Sequence, residues 1–187
     1  MSSASTPDRI LNAALSCIAR DGAAAVALSD VAAEAGVSKA LIHYHFNDRE
    51  TLLARLTDEA AQRVVVGERA ALSSVPPALA IDALWGWLED ELRRGDLRVL
   101  IELALIPLPG VRDAARRAAA ARRAAAAATV DRLFALLGLR PRVPAALLAD
   151  PVVAFIDGLA LDAALGQGRD ARPSFDAFWL AMLSLAE

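Results

Sequence analysis

The chain has 187 residues and a net charge of −3, with 20 Lys and Arg against 23 Asp and Glu; that length allows one domain or a small one fused to a larger one, and the acidic balance confines any nucleic-acid surface to a local patch. Ala (44), Leu (29) and Arg (19) make about half of it, whereas Val, Ile and Thr together number 24, so strong helix formers dominate and a sandwich, a barrel or a parallel sheet is excluded. The longest charge-free run, Ala70 to Ile81, spans 12 residues, short of the ~20 that a membrane helix needs, and the single cysteine, Cys17, excludes an internal disulfide or a cysteine metal cage.

In chain order, residues 1–6 are small and polar and read as a loose arm. Thr6-Pro7 reads as an N-cap with proline at the first helical position. Ile10, Ala13, Ala14, Cys17 and Ile18 then form one apolar helix face, and Asp21-Gly22 stops it. Ser29 is the expected cap of a second short helix, Asp30 to Ala35, with Gly36 as its left-handed stop. Ser38 caps a third helix through about His45. Phe46-Asn47-Asp48 breaks and recaps, and a fourth helix runs from Arg49 toward Leu72. Ser73 to Pro77 is a break. One helix follows to Arg94, and another from Gly95-Asp96 ends before Pro107. Pro107-Leu108-Pro109-Gly110 is a second break, and the proline-free and glycine-free stretch from Val111 to Leu137 predicts one long helix. Gly138 to Pro141 closes it. Pro144 opens the next helix, expected to be interrupted near Asp150-Pro151 and to continue to Gly166. Gly166 to Pro173 reads as a loop, although Gly166-x-Gly168-x-x-Ala171 imitates a dinucleotide fingerprint, because no strand precedes it. The last helix starts at Pro173 or Ser174. The expectation is an all-α fold of about nine helices with no strand and no internal repeat.

Leu28 to Phe46 carries the functional signal. Two short helices joined by a glycine turn occupy about 20 residues, the plan of a helix-turn-helix. Val31, Ala35, Val37 and Ile42 fall at its core positions, and small Ala32 permits a close helix crossing. Lys39, Ala40, His43 and Tyr44 fall on the exposed side of the second helix, whose N-terminal residues enter the major groove in this motif. Its first peptide groups and the Ser38 hydroxyl can hold a phosphate. His45 is assigned packing or a phosphate contact, and Arg49, in the first turn of the next helix, a contact to DNA. His43 and His45 at i, i+2 lie on different helix faces, which argues against a metal site.

With its neighbours this segment resembles the TetR family of bacterial transcriptional repressors. The resemblance runs from Arg9-Ile10-Leu11, Ala13-Ala14 and Gly22 through Val31-Ala32 and Ala35-Gly36-Val37-Ser38 to Tyr44-His45-Phe46 and Arg49-Glu50-x-Leu52-Leu53. A weaker echo, Phe155-Ile156-Asp157-Gly158-Leu159, falls in a helix that members use to dimerise. The resemblance implies a three-helix DNA-binding head over residues 1–50 and a helical ligand-binding and dimerisation domain over 51–187. It implies a cytoplasmic homodimer on a pseudo-palindromic double-stranded operator, released by a small molecule, with no enzymatic activity and no cofactor. Two positions depart from the pattern. Ala27 stands where the family often has Thr or Ser capping the second helix and touching phosphate, a role then assigned to Ser29. His43 stands where Tyr is usual, and can make affinity pH-sensitive. Residues 1–55 also carry five positive and six negative side chains. These features support the alternative, a helical ligand-binding or scaffold protein without DNA binding.

The remaining candidates lie beyond Leu72. Trp85, Leu88, Glu89 and Leu92 share a helix face, where Trp85 can stack on a ligand and Glu89 pair with it. Glu102 and Asp162 sit within apolar stretches, and a buried carboxylate needs a partner; with Phe134 they complete the candidate ligand set. Val152, Phe155, Ile156, Leu159, Phe178, Trp179 and Met182 exceed what one core stripe needs and are assigned to the dimer interface. Arg112, Arg116, Arg117, Arg122 and Arg123 form a basic run, read as a solvated helix face.

Overall fold

Ser5 rather than Thr6 starts the first helix in a computed structural model that describes residues 5–166 and 170–187. Its hydroxyl accepts from the Asp8 amide while the Asp8 carboxylate accepts from the Ser5 amide, a reciprocal cap that satisfies two otherwise orphaned donors. Helix α1 (Thr6–Asp21) ends at Gly22, whose φ of 81° suits a residue without Cβ. Helices α2 (Leu28–Ala35) and α3 (Lys39–Phe46) follow, joined through Gly36 at φ 63°. The expected Ser29 cap does not form. Helix α2 begins at Leu28 behind Ala27, which offers no side-chain acceptor, and Ser29 lies inside the first turn with its hydroxyl on Asp30. Ser38 does cap α3, accepting from the Leu41 amide at 3.1 Å.

Helix α4 (Arg49–Ala71) runs to the expected break. A 3-10 turn at Pro77–Leu79 leads into α5 (Ala80–Arg94), and α6 (Asp96–Ala104) follows Gly95. Helix α7 (Pro109–Leu136) starts two residues earlier than the Pro-Gly break suggests, because a first helical position needs no amide donor. Helix α8 (Ala145–Ala164) is continuous through Pro151, against the expected interruption. Pro151 removes the donor to the Leu147 carbonyl, and both residues are exposed, so that carbonyl can be hydrated. Helix α9 (Arg172–Leu183) closes the chain. Part of the dinucleotide-like stretch, residues 167–169, lies outside the described residues. Among the described residues there are nine α-helices and no strand, and no helix is long and apolar enough to cross a membrane.

The chain divides into two compact units, Met1–Ala60 with Val99–Ala118, and Ala61–Arg98 with Ala119–Glu187. The first unit closes around the predicted α1 stripe. Ile10, Ala14, Cys17 and Ile18 are fully buried with Val31, Ile42 and Leu52, and Val99, Leu103, Ile106 and Val111 join the same cluster. In the second unit Leu84, Leu88, Phe134, Ile156, Phe175, Trp179 and Met182 are buried.

Candidate functional site

The turn between α1 and α2 and the end of α2 are held by side chains bonded to backbone. The Arg49 guanidinium donates to the carbonyls of Val26 at 2.6 Å, Ala23 at 3.0 Å and Ala24 at 3.1 Å. Glu102, from α6, accepts from the Ala23 amide at 2.8 Å. Arg9 donates to the Ala35 carbonyl at 2.8 Å, at the C-terminal end of α2. Glu50 accepts from the Gly110 amide, and a Cβ at Gly110 would stand 2.8 Å from the Glu50 carboxylate, which would have to shift to admit it. Helices α2 and α3 pack on a core that includes Val31, Ala32, Ala35 and Ile42.

What α3 then presents is the predicted face. Ser38, Lys39, Ala40, His43, Tyr44 and His45 are all exposed, whereas Ile42 and Phe46 are buried. Tyr44 is 82 % exposed, unusual for an aromatic side chain in a small helical unit. Its ring packs edge-on against His45 at 5.1 Å. The His43 Nδ1 lies 2.5 Å from the Asn47 carbonyl. A carbonyl only accepts, so Nδ1 carries the proton and Nε2 of the neutral ring faces outward as an acceptor. Outward donation by His43 therefore requires a second proton. Asn47 itself adopts φ 61°, which lets the chain turn sharply before α4. The Asp48 carboxylate then caps α4 through the Thr51 amide at 2.7 Å, and that bond holds its pKa below the usual carboxylate value. Ser29 is exposed at the start of α2. Arg49 is placed differently from the rest: its donors are directed to the 23–26 turn rather than outward.

The candidate ligand residues are not gathered at one place. Trp85 packs edge-on against Phe175 at 5.3 Å, and the Arg172 guanidinium lies 5.7 Å from its ring centre. Glu89 is exposed beside Arg93, and Leu92 is half-buried. Phe134 is a buried core residue of the second unit. Glu102 belongs to the first unit, where a backbone amide is its partner. Asp162 is exposed, not buried, because it lies on the outer side of α8 with Leu161 and Ala163. The acids that are buried in the second unit are others: Glu68, Glu91 and Asp96. Glu68 had a visible signal, since it occupies a position at four-residue spacing between the buried Val64 of α4 and the buried Leu72 just past its end.

The basic run behaves as a solvated face at four of its five positions. Arg112, Arg116, Arg117 and Arg123 are exposed, and the last three pair with Asp113, Asp58 and Asp150. Arg122 turns inward and bonds Asp157 at 2.6 Å. Of the residues assigned to a dimer interface, Val152, Ile156, Leu159, Trp179 and Met182 are buried within a single chain. Phe155 and Phe178 are half-buried and stack at 4.1 Å. Beside them an uncovered stripe, Ala154, Gly158, Leu161 and Leu165, runs at helical spacing along α8.

Residues 10–56 match the profile of the bacterial regulatory proteins of the tetR family, a family of regulators rather than enzymes. Among curated proteins, none matches the chain in sequence. Its fold is similar to that of the fatty acid degradation regulator FadR from Bacillus halodurans, at 16% identity, with 98% of this chain and 97% of that one covered and a TM-score of 0.78. A TetR transcription regulator from Haloarcula marismortui aligns at 18% identity over 97% of this chain and 98% of its own, TM-score 0.77. A protein of Saccharomonospora viridis solved in complex with choline aligns at 24% identity over 97% of each chain, TM-score 0.72.

Proposed function

We propose that this chain, with the tetR-family sequence pattern over residues 10–56 on a tetR-like helical fold, is a dimeric repressor that leaves its operator when a small molecule binds. The observation that carries the reading is the face of α3. Ser38, Lys39, Ala40, His43 and Tyr44 are exposed together while the opposite face is buried, the division that a groove-reading helix requires. Lys39 supplies the positive charge for phosphate, Ala40 permits close approach to a base edge or a thymine methyl, and His43 offers Nε2 to a base donor. Ser29 at the start of α2, Ser38 capping α3 and His45 on α3 are assigned to phosphate oxygens. Arg49 acts behind this surface by holding the 23–26 turn.

One head reads few base pairs, and a two-fold dimer doubles the readout on a pseudo-palindromic site. The exposed stripe Ala154, Gly158, Leu161 and Leu165, with Leu180 of α9 at 73 % exposure and the Phe155–Phe178 stack beside them, supports a second copy as the cover. Light scattering of the wild-type chain at micromolar concentration should give a dimer, and Leu180→Asp should shift it to monomer. A wild-type monomer would refute the assignment.

The DNA reading is tested by mobility shift on the DNA flanking the protein's own gene. Lys39→Ala should lower the salt dependence of binding by ~0.9 in log–log slope for each phosphate left unneutralised in each head, with the melting temperature unchanged. Replacing Lys39, Ala40 and His43 together should change the DNA sequence recovered by selection. An unchanged slope and an unchanged selected sequence would remove α3 from the interface.

A further inference from the structure

A cavity of about 270 Å³ lies within the second unit, lined by Glu68 and Arg69 of α4, by Leu72 just past its end, and by Ala128, Thr129 and Arg132 of α7. Its chemistry is divided. Glu68 is only 4 % exposed, and a buried carboxylate is costly unless a partner offsets the lost hydration. The guanidinium that could serve, Arg122, bonds Asp157 instead at 2.6 Å. Glu68 receives the Thr129 hydroxyl and the fields of Arg122 and Arg69, yet burial dominates and pushes its pKa up. An acid held this way favours an added cation or hydrogen-bond donor.

The other end of the cavity has the opposite character. Arg132 donates through Nε to the Leu72 carbonyl at 3.2 Å and through one Nη2 proton to the Ser73 carbonyl at 3.5 Å. A guanidinium has five donors, so these two bonds leave others for a molecule in the cavity that Arg132 lines. The Leu72 carbonyl that anchors it belongs to the turn just past α4, four residues beyond Glu68. Arg69 is exposed beside it. Leu72 and Ala128 supply the apolar part of the wall. A simple anion would face the Glu68 carboxylate, and a simple cation would face two guanidiniums. A molecule with both charges satisfies both ends. At ~30 Å³ per water the space equals about nine waters, room enough for an amino acid with a four-carbon side chain.

We propose that this cavity binds a short aliphatic α-amino acid, its ammonium on Glu68 and Thr129, its carboxylate on Arg132 and Arg69, and its side chain along Leu72 and Ala128. The inference deepens the ligand response proposed above and rests on that reading for its regulatory meaning, not for binding itself.

Calorimetry on the full chain with three probes of equal skeleton tests it: leucine, 4-methylpentanoate, which lacks the amine, and 3-methylbutylamine, which lacks the carboxylate. Leucine should bind at least about tenfold more tightly than either, a difference of ~1.4 kcal/mol. Glu68→Gln should weaken leucine about tenfold and leave 4-methylpentanoate unweakened. Arg132→Ala, at an exposed position that does not threaten folding, should weaken leucine similarly and leave 3-methylbutylamine unweakened. Equal binding of the acid and leucine would make this an anion pocket, and equal binding of the amine a cation pocket; either overturns the proposal, as does no heat from all three probes. A mobility shift with leucine added separates the two readings. Leucine that binds in calorimetry but leaves DNA affinity unchanged overturns its role as inducer and leaves the site standing.

Discussion

The two units use their polar side chains in different ways. In the first, Arg9, Arg49, Glu50 and Glu102 reach backbone groups of residues distant in sequence. In the second, charged side chains mostly reach one another: Arg63 with Asp96, Arg122 with Asp157, Arg94 with Glu91, and Arg172 with both Asp82 and Asp176. Length explains the contrast. Helices α2 and α3 have 8 residues each, so turns and helix ends form much of that region, and each helix end leaves amides or carbonyls without an internal partner. Helix α8 has 20 residues, and most of its backbone bonds to itself. The difference shows what holds the 23–26 turn and the end of α2: bonds to backbone that one substitution can remove.

The largest effect should therefore come from Arg49→Ala. It deprives three carbonyls of a charged donor, and hydrogen bonds to charged groups contribute ~1.5–3 kcal/mol. Chemical denaturation should show a destabilisation of about 3 kcal/mol. A value below ~0.5 kcal/mol, on the scale of an ordinary surface change, would show that the turn holds without Arg49.

Glu102 should follow. Glu102→Ala leaves the Ala23 amide without its acceptor, a cost of ~1–3 kcal/mol when the donor is kept from water. Glu102→Gln keeps an amide oxygen in the same place and should cost less than half as much by the same measurement. Equal destabilisation by the two would mean that the carboxylate acts through its charge and not through the Ala23 bond.

How much of this was legible in sequence follows the same division. The α1 stripe, the Gly36 turn, the Ser38 cap and the exposed face of α3 were readable because each is a local signal at fixed spacing. The missing cap on α2 was not, because Ser29 is a good capping residue by type and only the actual start at Leu28 disqualifies it. The destinations of Arg49 and Glu102 were not readable either, since their partners lie 23 to 26 and 79 residues away. Apolar periodicity located the α8 and α9 faces but cannot say which of them the chain covers itself. Val152 and Trp179 lie inside, and Leu161 and Leu180 lie outside.

A smaller effect tests the buried acid of the second unit. Burial raises the folded-state pKa of Glu68, against the opposing Thr129 hydrogen bond on α7, Arg122 on α7 and Arg69 on its own helix. A raised carboxylate pKa means that the folded state holds the proton more tightly than the unfolded chain. The destabilisation is absent below the unfolded value of ~4.3 and grows as pH rises through the folded value. Without ligand, Glu68→Gln should gain stability relative to wild type on going from about pH 5 to about pH 8 in urea melts. A gap that stays constant over that range would mean that the carboxylate is not desolvated.

The smallest effect should be at a side-chain pair on the surface. Arg123 Nε lies 2.6 Å from Asp150, a distance as short as that of the buried-side pair Arg122–Asp157, but both partners are more than half exposed. Distance alone would rank the two pairs equally. Solvent screening and the entropy of holding two mobile side chains rank them apart, since exposed ion pairs contribute ~0–1 kcal/mol. Arg123→Ala, Asp150→Ala and the double variant should each stay within about 0.5 kcal/mol of wild type, with a coupling energy of similar size. Arg122→Ala leaves Asp157 half-buried without its guanidinium and should cost several times more. Coupling above ~1.5 kcal/mol for Arg123 and Asp150, beyond the range of exposed pairs, would show that surface pairs also fix the second unit. Its charged pairs would then be as consequential as the side-chain bonds to backbone at the 23–26 turn.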